Sequence, residues 1–277
     1  MIKRHDWQLA HGRRLELGPR ARIMGILNVT PDSFSDGGRY EAVDSAVARA
    51  REMRAEGADI IDVGGESTRP GGEAVSAAEE QARVLPVIEA LAGDKGIVLS
   101  IDTYRAETAG LAVKAGAHIV NDVWGLHKEA GLARVAAETG AGLVLMHTGR
   151  DREKLPDVIS DQFAFLRRSV EIARDAGVGE MQILLDPGFG FAKDPVENVE
   201  IMARFGELGG LGFPLLVGTS RKRFIGHLTG REAGSRAAGT AATSALLRMR
   251  GASVFRVHDV AENRDALLVA DAILAAG

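Results

Sequence analysis

Eight short apolar runs recur along the chain, and nearly every one ends in polar, charged or glycine residues that do not belong in a buried strand. They are RIMGILNV (22–29), ADIIDVGG (58–65), IVLSIDT (97–103), HIVNDV (118–123), GLVLMH (142–147), ILLDPG (183–188), PLLVGTS (214–220) and VFRVHD (254–259). Runs rich in Val, Ile and Leu without alternation are what strands covered on both faces look like. Helical patterns separate most of them. EAVDSAVARAREMRAEG (41–57) sets Ala, Val and Met53 at helical spacing and stops on glycine, and RAETAGLAVKAG and EAGLARVAAETG repeat the pattern. This rhythm specifies the α/β class and a single (β/α)8 TIM barrel, in which the C-terminal strand ends converge on one mouth. Asn28, Asp102, Asn121, Asp186, Lys222, Arg256 and His258 fall at or just beyond those ends, so they are expected around one ligand.

At 277 residues the chain suits one barrel with its helices, and 1–277 is read as one domain. Residues 22–277 form the barrel. Residues 1–21, with the polar, glycine-punctuated stretch HGRRLELGPR, form an N-terminal extension, a short hairpin or lid closing the barrel bottom. An apolar fraction of 45% and a charged fraction of 26% are those of a soluble globular protein, and a net charge of -4 argues against general affinity for nucleic acid or anionic membrane. The absence of cysteine excludes disulfides, thiolate metal sites and a cysteine nucleophile. The start, MIKRHDWQLAHGRR, carries no apolar signal region and no run is long enough to cross a bilayer, so a cytoplasmic protein is expected. Pro86 inside the helical pattern of 76–91 predicts a kink or break there.

Two loops stand apart, NVTPDSFSDGGRY (28–40) and GGESTRPGG (64–72), dense in Gly, Pro, Ser, Thr and Asp on the catalytic face, as covers over a site are. One Asp at a strand end is as well explained by capping the next helix. Asp102, Asn121 and Asp186 at one mouth suit a flat, nitrogen-rich ring, because a carboxylate accepts two parallel N–H donors and an amide both donates and accepts. Positive charge gathers in GTSRKRF (218–224) and RVHD (256–259), where barrels commonly hold phosphate. Asn28, beside the last strand once the barrel closes, offers an amide oxygen to a Mg²⁺ bridging diphosphate oxygens. His147 lacks triad partners and is read as a wall of the site. HExxH is absent, and DPGFGF (186–191) lacks the GxGxxG pattern of dinucleotide sites.

The pieces MGILNVTPDSFSDGG (24–38), DVGGESTRPG (62–71), SIDT (100–103), IVNDV (119–123), LDPGFGF (185–191), GTSRK (218–222) and RVHDV (256–260) together resemble the dihydropteroate synthases of the folate pathway. The resemblance implies condensation of 6-hydroxymethyl-7,8-dihydropterin diphosphate with 4-aminobenzoate, giving dihydropteroate and pyrophosphate, with sulfonamides competing at the second site. It implies that Asp102, Asn121, Met146, Asp186 and Lys222 hold the pterin. Asn28, Thr68, Arg256 and His258 would hold the diphosphate, with Asn28 on its Mg²⁺. Phe34, Arg69, Pro70, Phe191, Ser220 and Lys222 would hold the aminobenzoate, and Asp36, Asp102, Lys222 and Arg256 carry the catalytic roles. A dissociative displacement is expected, with Asp36 facing the cation that develops at the pterin methylene. A homodimer is expected, for which the alanine-rich segment 239–251 offers a close-approach surface. Two departures stand out: LMHTGRDREKLP (145–156) where MHMxG is common, which leaves the shape of one pocket wall open, and FAKD where FGK is frequent. The competing readings are a pterin-binding methyltransferase-type domain, which needs neither the diphosphate set nor the two loops, and a paralogue that binds pterin without turnover.

Overall fold

The computed structural model describes residues 2–30, 39–66 and 75–277. A two-stranded antiparallel hairpin, β1 (His5–Gln8) and β2 (Arg14–Leu17), precedes eight parallel strands. These are β3 (Arg22–Asn28), β4 (Ile60–Gly64), β5 (Val98–Asp102), β6 (Ile119–Asp122), β7 (Gly142–Met146), β8 (Ile183–Asp186), β9 (Leu216–Val217) and β10 (Val254–Val257). They pair in the order β8-β7-β6-β5-β4-β3-β10-β9, and a parallel bridge between Leu185 and Leu215 joins the two ends of that series. The barrel expected from the sequence is therefore observed, and Asn28 does lie on the strand beside β10. Around it run α1 (Arg39–Glu56), α2 (Ala77–Leu91), α3 (Ala106–Ala115), α4 (Gly131–Thr139), α5 (Val158–Asp175), α6 (Pro195–Ala203), α7 (Arg223–Thr229), α8 (Ala237–Met249) and α9 (Val260–Ala276). Most buried hydrophobes lie between this helical shell and the strands.

A second, separate cluster fills the barrel itself: Met24, Ile60, Val98, Ile119, Val144, Leu184, Leu216 and Val254, one from each strand. The N-terminal hairpin caps it from below with Trp7, Leu9 and Leu17, all buried, and Trp7 Nε1 donates to the Gln182 carbonyl at 2.7 Å. The approach is close enough that a Cβ on Gly142, at the start of β7, would sit 2.6 Å from Leu9 and 3.1 Å from Trp7. The hairpin is thus the bottom of the core.

Because strand side chains alternate between faces, stepping by two from this plug moves up the barrel interior. The next layer holds Asp62, Ser100, Asn121, Met146, Asp186 and Arg256, and the layer above it holds Asn28, Gly64, Asp102, Ser220 and His258. The interior turns from wholly apolar to largely polar within one such step, and this places the functional groups at one end. α2 does not break at Pro86: it runs through the proline as one helix, with Val84, Val87, Ile88 and Leu91 buried, so packing on both sides offsets the lost hydrogen bond.

Trp7→Ala should lower the free energy of unfolding by about 3–5 kcal/mol in chemical denaturation, as expected for removing a large buried aromatic. A loss of less than about 1 kcal/mol, the size of an ordinary surface substitution, would mean the hairpin is dispensable to the core.

Candidate active site

Arg256 on β10 crosses the barrel interior. Its Nε donates to Asp62 Oδ2 at 2.6 Å and its Nη2 to Asp102 Oδ2 at 2.6 Å, while Asn121 Nδ2 also donates to Asp62 Oδ2, at 3.1 Å. Asp62 is fully buried. Burial alone would weaken the Arg256 cation, but the adjoining Asp62 and Asp102 carboxylates outweigh it and keep the guanidinium protonated. Burial pushes the Asp102 carboxyl upward, Arg256 pulls it back, and Asp62 pushes it up again. Asp62 was not among the residues expected from sequence.

A pocket opens beside this network, bounded by Asn121, Val123, Met146, Asp186, Phe189, Phe191, Gly218, Lys222 and Arg256. Asp186 ends β8, and its Oδ1 accepts the Gly188 N–H at 2.7 Å. Burial raises its pKa to about 6, although that N–H, Lys222, Lys193 and Arg256 all favour the anion. The turn that follows is tight: Gly188 takes φ +64, and a Cβ there would lie 1.9 Å from the His147 carbonyl oxygen. Lys222, just before α7, holds its ammonium 4.0 Å from the centre of the Phe191 ring. Burial lowers its pKa to about 8, and Arg256 adds to the effect against Asp186. The departure noted after β7 builds a wall of its own. Arg150 lies 4.7 Å from the Phe191 ring and 5.4 Å from Trp124, at the lip of the pocket.

Asn28, Ser220 and His258 sit higher in the mouth. Ser220 Oγ accepts the His258 backbone N–H at 3.1 Å and lies 2.9 Å from His258 Nδ1. The hydroxyl can accept from the backbone N–H and still either donate to Nδ1 or accept from it. Two residues expected at separate subsites are thereby joined. Of the other cations in 218–224, Arg221 is ion-paired with Asp259 and Arg223 is exposed. His147 faces outward behind the wall, its Nε2 2.9 Å from Asp161 Oδ2 and 2.8 Å from Arg152 Nη2. Burial drops its pKa to about 3, so it is neutral near pH 7 and poorly suited as a base. Phe34, Asp36, Thr68, Arg69 and Pro70 lie outside the described residues.

The family profile described as pterin binding enzyme matches residues 24–258. The dihydropteroate synthase of Bacillus subtilis is 50% identical over 258 residues, covering 92% of this chain and 89% of the relative. This chain belongs to the dihydropteroate synthase family of pterin-binding enzymes. A solved dihydropteroate synthase of Xanthomonas albilineans with 4-aminobenzoic acid superposes with a TM-score of 0.91 at 45% identity, covering 98% of this chain and 99% of that one. Another from the same organism, in complex with 7,8-dihydropteroate, gives a TM-score of 0.87 at 44% identity and covers 97% and 99% of the two chains.

Within that family resemblance the second departure has a physical cost. Ala192, where the related pattern often has glycine, takes φ +50. A left-handed conformation costs a non-glycine residue roughly 1–2 kcal/mol. Ala192→Gly should therefore raise stability by about 0.5 kcal/mol after the greater freedom of glycine in the unfolded chain is subtracted, read as an increase in Tm with unchanged pterin binding. A lower Tm would show that the Ala192 methyl contributes more packing than its backbone costs.

Proposed function

We infer that this chain joins the methylene carbon of 6-hydroxymethyl-7,8-dihydropterin diphosphate to the amino nitrogen of 4-aminobenzoate, yielding 7,8-dihydropteroate and pyrophosphate. The observation that carries the reading is the pocket of Asn121, Asp186, Lys222 and Arg256 at the mouth of a barrel whose relatives are dihydropteroate synthases. Asp186 is suited to accept two parallel N–H groups from the amino and lactam edge of a pterin, and Asn121 to pair with the same ring. Met146 and Phe191 supply apolar wall. Arg256 already commits two nitrogens to Asp62 and Asp102, so its guanidinium is held in a fixed place lining the pocket. Ser220 orients the His258 ring, which is placed to offer an N–H to a diphosphate oxygen.

In the displacement the methylene C–O bond breaks, and its electron pair leaves with the diphosphate. The arylamine nitrogen forms the new C–N bond and then gives up one proton. The arylamine is neutral near pH 7 and needs no strong base, in keeping with a site that has no triad. Electrostatic stabilisation of the leaving group and positioning of the two substrates supply the acceleration, in a dissociative sense favoured by the electron-rich dihydropterin. The roles of Asp36 beside the methylene, Thr68 at the diphosphate, and Phe34, Arg69 and Pro70 at the aminobenzoate rest on their place in the matching motifs.

A Mg²⁺ fits the residues present. A Cβ on Gly64 would lie 3.7 Å from Asn28 Oδ1 and 3.9 Å from Asp102 Oδ2, so two oxygens face the space that glycine leaves. No group of three or more His, Cys, Asp or Glu suited to a metal occurs among the described residues. A cation beside Asn28 would therefore draw most of its ligands from water and the diphosphate, as Mg²⁺ does, and when bound it would share the charge of the leaving group. No described helix is long and apolar enough to cross a membrane. A homodimer is supported by Leu246 and Met249 on α8 and Leu268, Val269 and Ile273 on α9, large apolar side chains exposed on neighbouring helices.

Purified protein should release pyrophosphate from the dihydropterin diphosphate only with 4-aminobenzoate present, with dihydropteroate formed in equal amount. Pterin binding with neither product would leave a silent pterin-binding chain. The pH profile of kcat/KM should rise through about 6 as Asp186 ionises and can accept N–H donors, then fall above about 8 as Lys222 loses its charge. Lys222→Met should remove the alkaline limb and cut kcat/KM by at least about tenfold, the value of one charge-assisted contact. Val269→Glu with Ile273→Glu should convert a dimer to a monomer by light scattering, and a native monomer would contradict the assembly.

A further inference from the structure

The connection from β8 to α6 contains a lysine whose arrangement goes beyond closing a loop. Lys193 Nζ donates to the Gly188 carbonyl at 2.8 Å and to the Phe191 carbonyl at 3.3 Å. Phe191 lines the pocket, and Gly188 holds the Asp186 carboxylate that does so too. The Gly188 N–H holds Asp186 Oδ1, and the Phe191 ring lies under the Lys222 ammonium. The turn carries a strained residue, Ala192, whose φ is +50 without being glycine. Conformations of this kind persist only where surrounding contacts over-determine them. Asn198 adds a second tether, its Oδ1 accepting the Gly190 N–H at 2.7 Å and its Nδ2 donating to the Lys193 carbonyl at 3.1 Å, but it brings no charge.

We propose that Lys193 is a positioning residue for pterin recognition, locking the 187–191 turn so that Asp186 and Phe191 meet the ring in a fixed relation. It acts in a second way, through charge. Asp186 is faced by Lys193, Lys222 and Arg256, all of which favour its ionised form. Lys193 is itself faced by Asp186 and Asp161 and by the opposing cations Lys222 and Arg152. It lines a small cavity behind the pocket with His147, Lys154, Asp161, Gln162 and Glu197. Removing its ammonium takes one of two donors from each carbonyl, leaving the Phe191 N–H on Gly188 and the Gly149 N–H on Phe191, and leaves Asp186 with one fewer stabilising cation, so Asp186 holds its proton to higher pH.

The proposal rests on the pterin-binding reading and is tested by titrating dihydropterin diphosphate with Mg²⁺ into intact protein across pH by calorimetry, without 4-aminobenzoate. Lys193→Met should weaken binding about tenfold, the loss of one charge-assisted hydrogen bond, and move the acid limb to higher pH. Lys193→Arg, which keeps charge and donors, should restore both. A Lys193→Met protein with native affinity and an unmoved acid limb overturns the proposal, even if its Tm falls. Should Lys193→Met fail to fold, Lys193→Gln set against Lys193→Arg decides by the same limb, since Gln lacks only the charge and some reach. Native protein that binds no pterin overturns the functional reading and this proposal together. Native protein that binds and turns over, beside an indistinguishable Lys193→Met, overturns this proposal alone.

Discussion

The site depends on one buried cation shared by two buried carboxylates. Arg256 between Asp62 and Asp102 ties β10 to β4 and β5 through the barrel interior. Taking such charges out of water is expensive, and their attraction offsets it only when geometry and remaining hydrogen bonds are good. Here the partners lie at 2.6 Å and Asn121 adds a donor to Asp62. Removing one member of a set of this kind typically costs about 3–5 kcal/mol because it strands the others. The arrangement therefore fixes the position of the cation before any ligand arrives.

The remaining charges are balanced against that set. Asp186 on β8 is held toward its anionic form against burial by the Gly188 N–H and by Lys222, Lys193 and Arg256, and Lys222 stays cationic against the opposition of Arg256 partly through Asp186. Affinity, pH response and the shape of the 187–193 turn are consequently one problem. A change at any of these residues alters the protonation of the rest, and single substitutions there will not add independently.

Much of this was legible in the sequence because the strand ends alternate faithfully. Asn28, Asp102, Asn121, Asp186 and Arg256 each stand an even number of residues above a plug residue on their own strand, so polarity at the end of an apolar run was enough to find them. Asp62 obeys the same parity but lies inside its run, where a carboxylate without a visible partner gave no cue; its partner is 194 residues away. Lys193, Arg150 and Trp124 were missed for another reason. They act through turns after the strands, where one positive φ or one ring-to-cation contact sets direction, and no short-range periodicity records it. The helix does not break at Pro86 because packing on both sides of the proline outweighs the local backbone preference.

The bottom plug has a consequence for traffic. With Trp7, Leu9 and Leu17 seated under the interior cluster, the described barrel is a vessel with a single opening. Whatever occupies the pocket floor, among Asn121, Asp186 and Met146, has to enter before anything that sits nearer the rim, and leaves only after the rim has cleared. Sequence in which molecules load and depart is then a matter of depth, and a bulky guest at the lip becomes a stopper for the one beneath it.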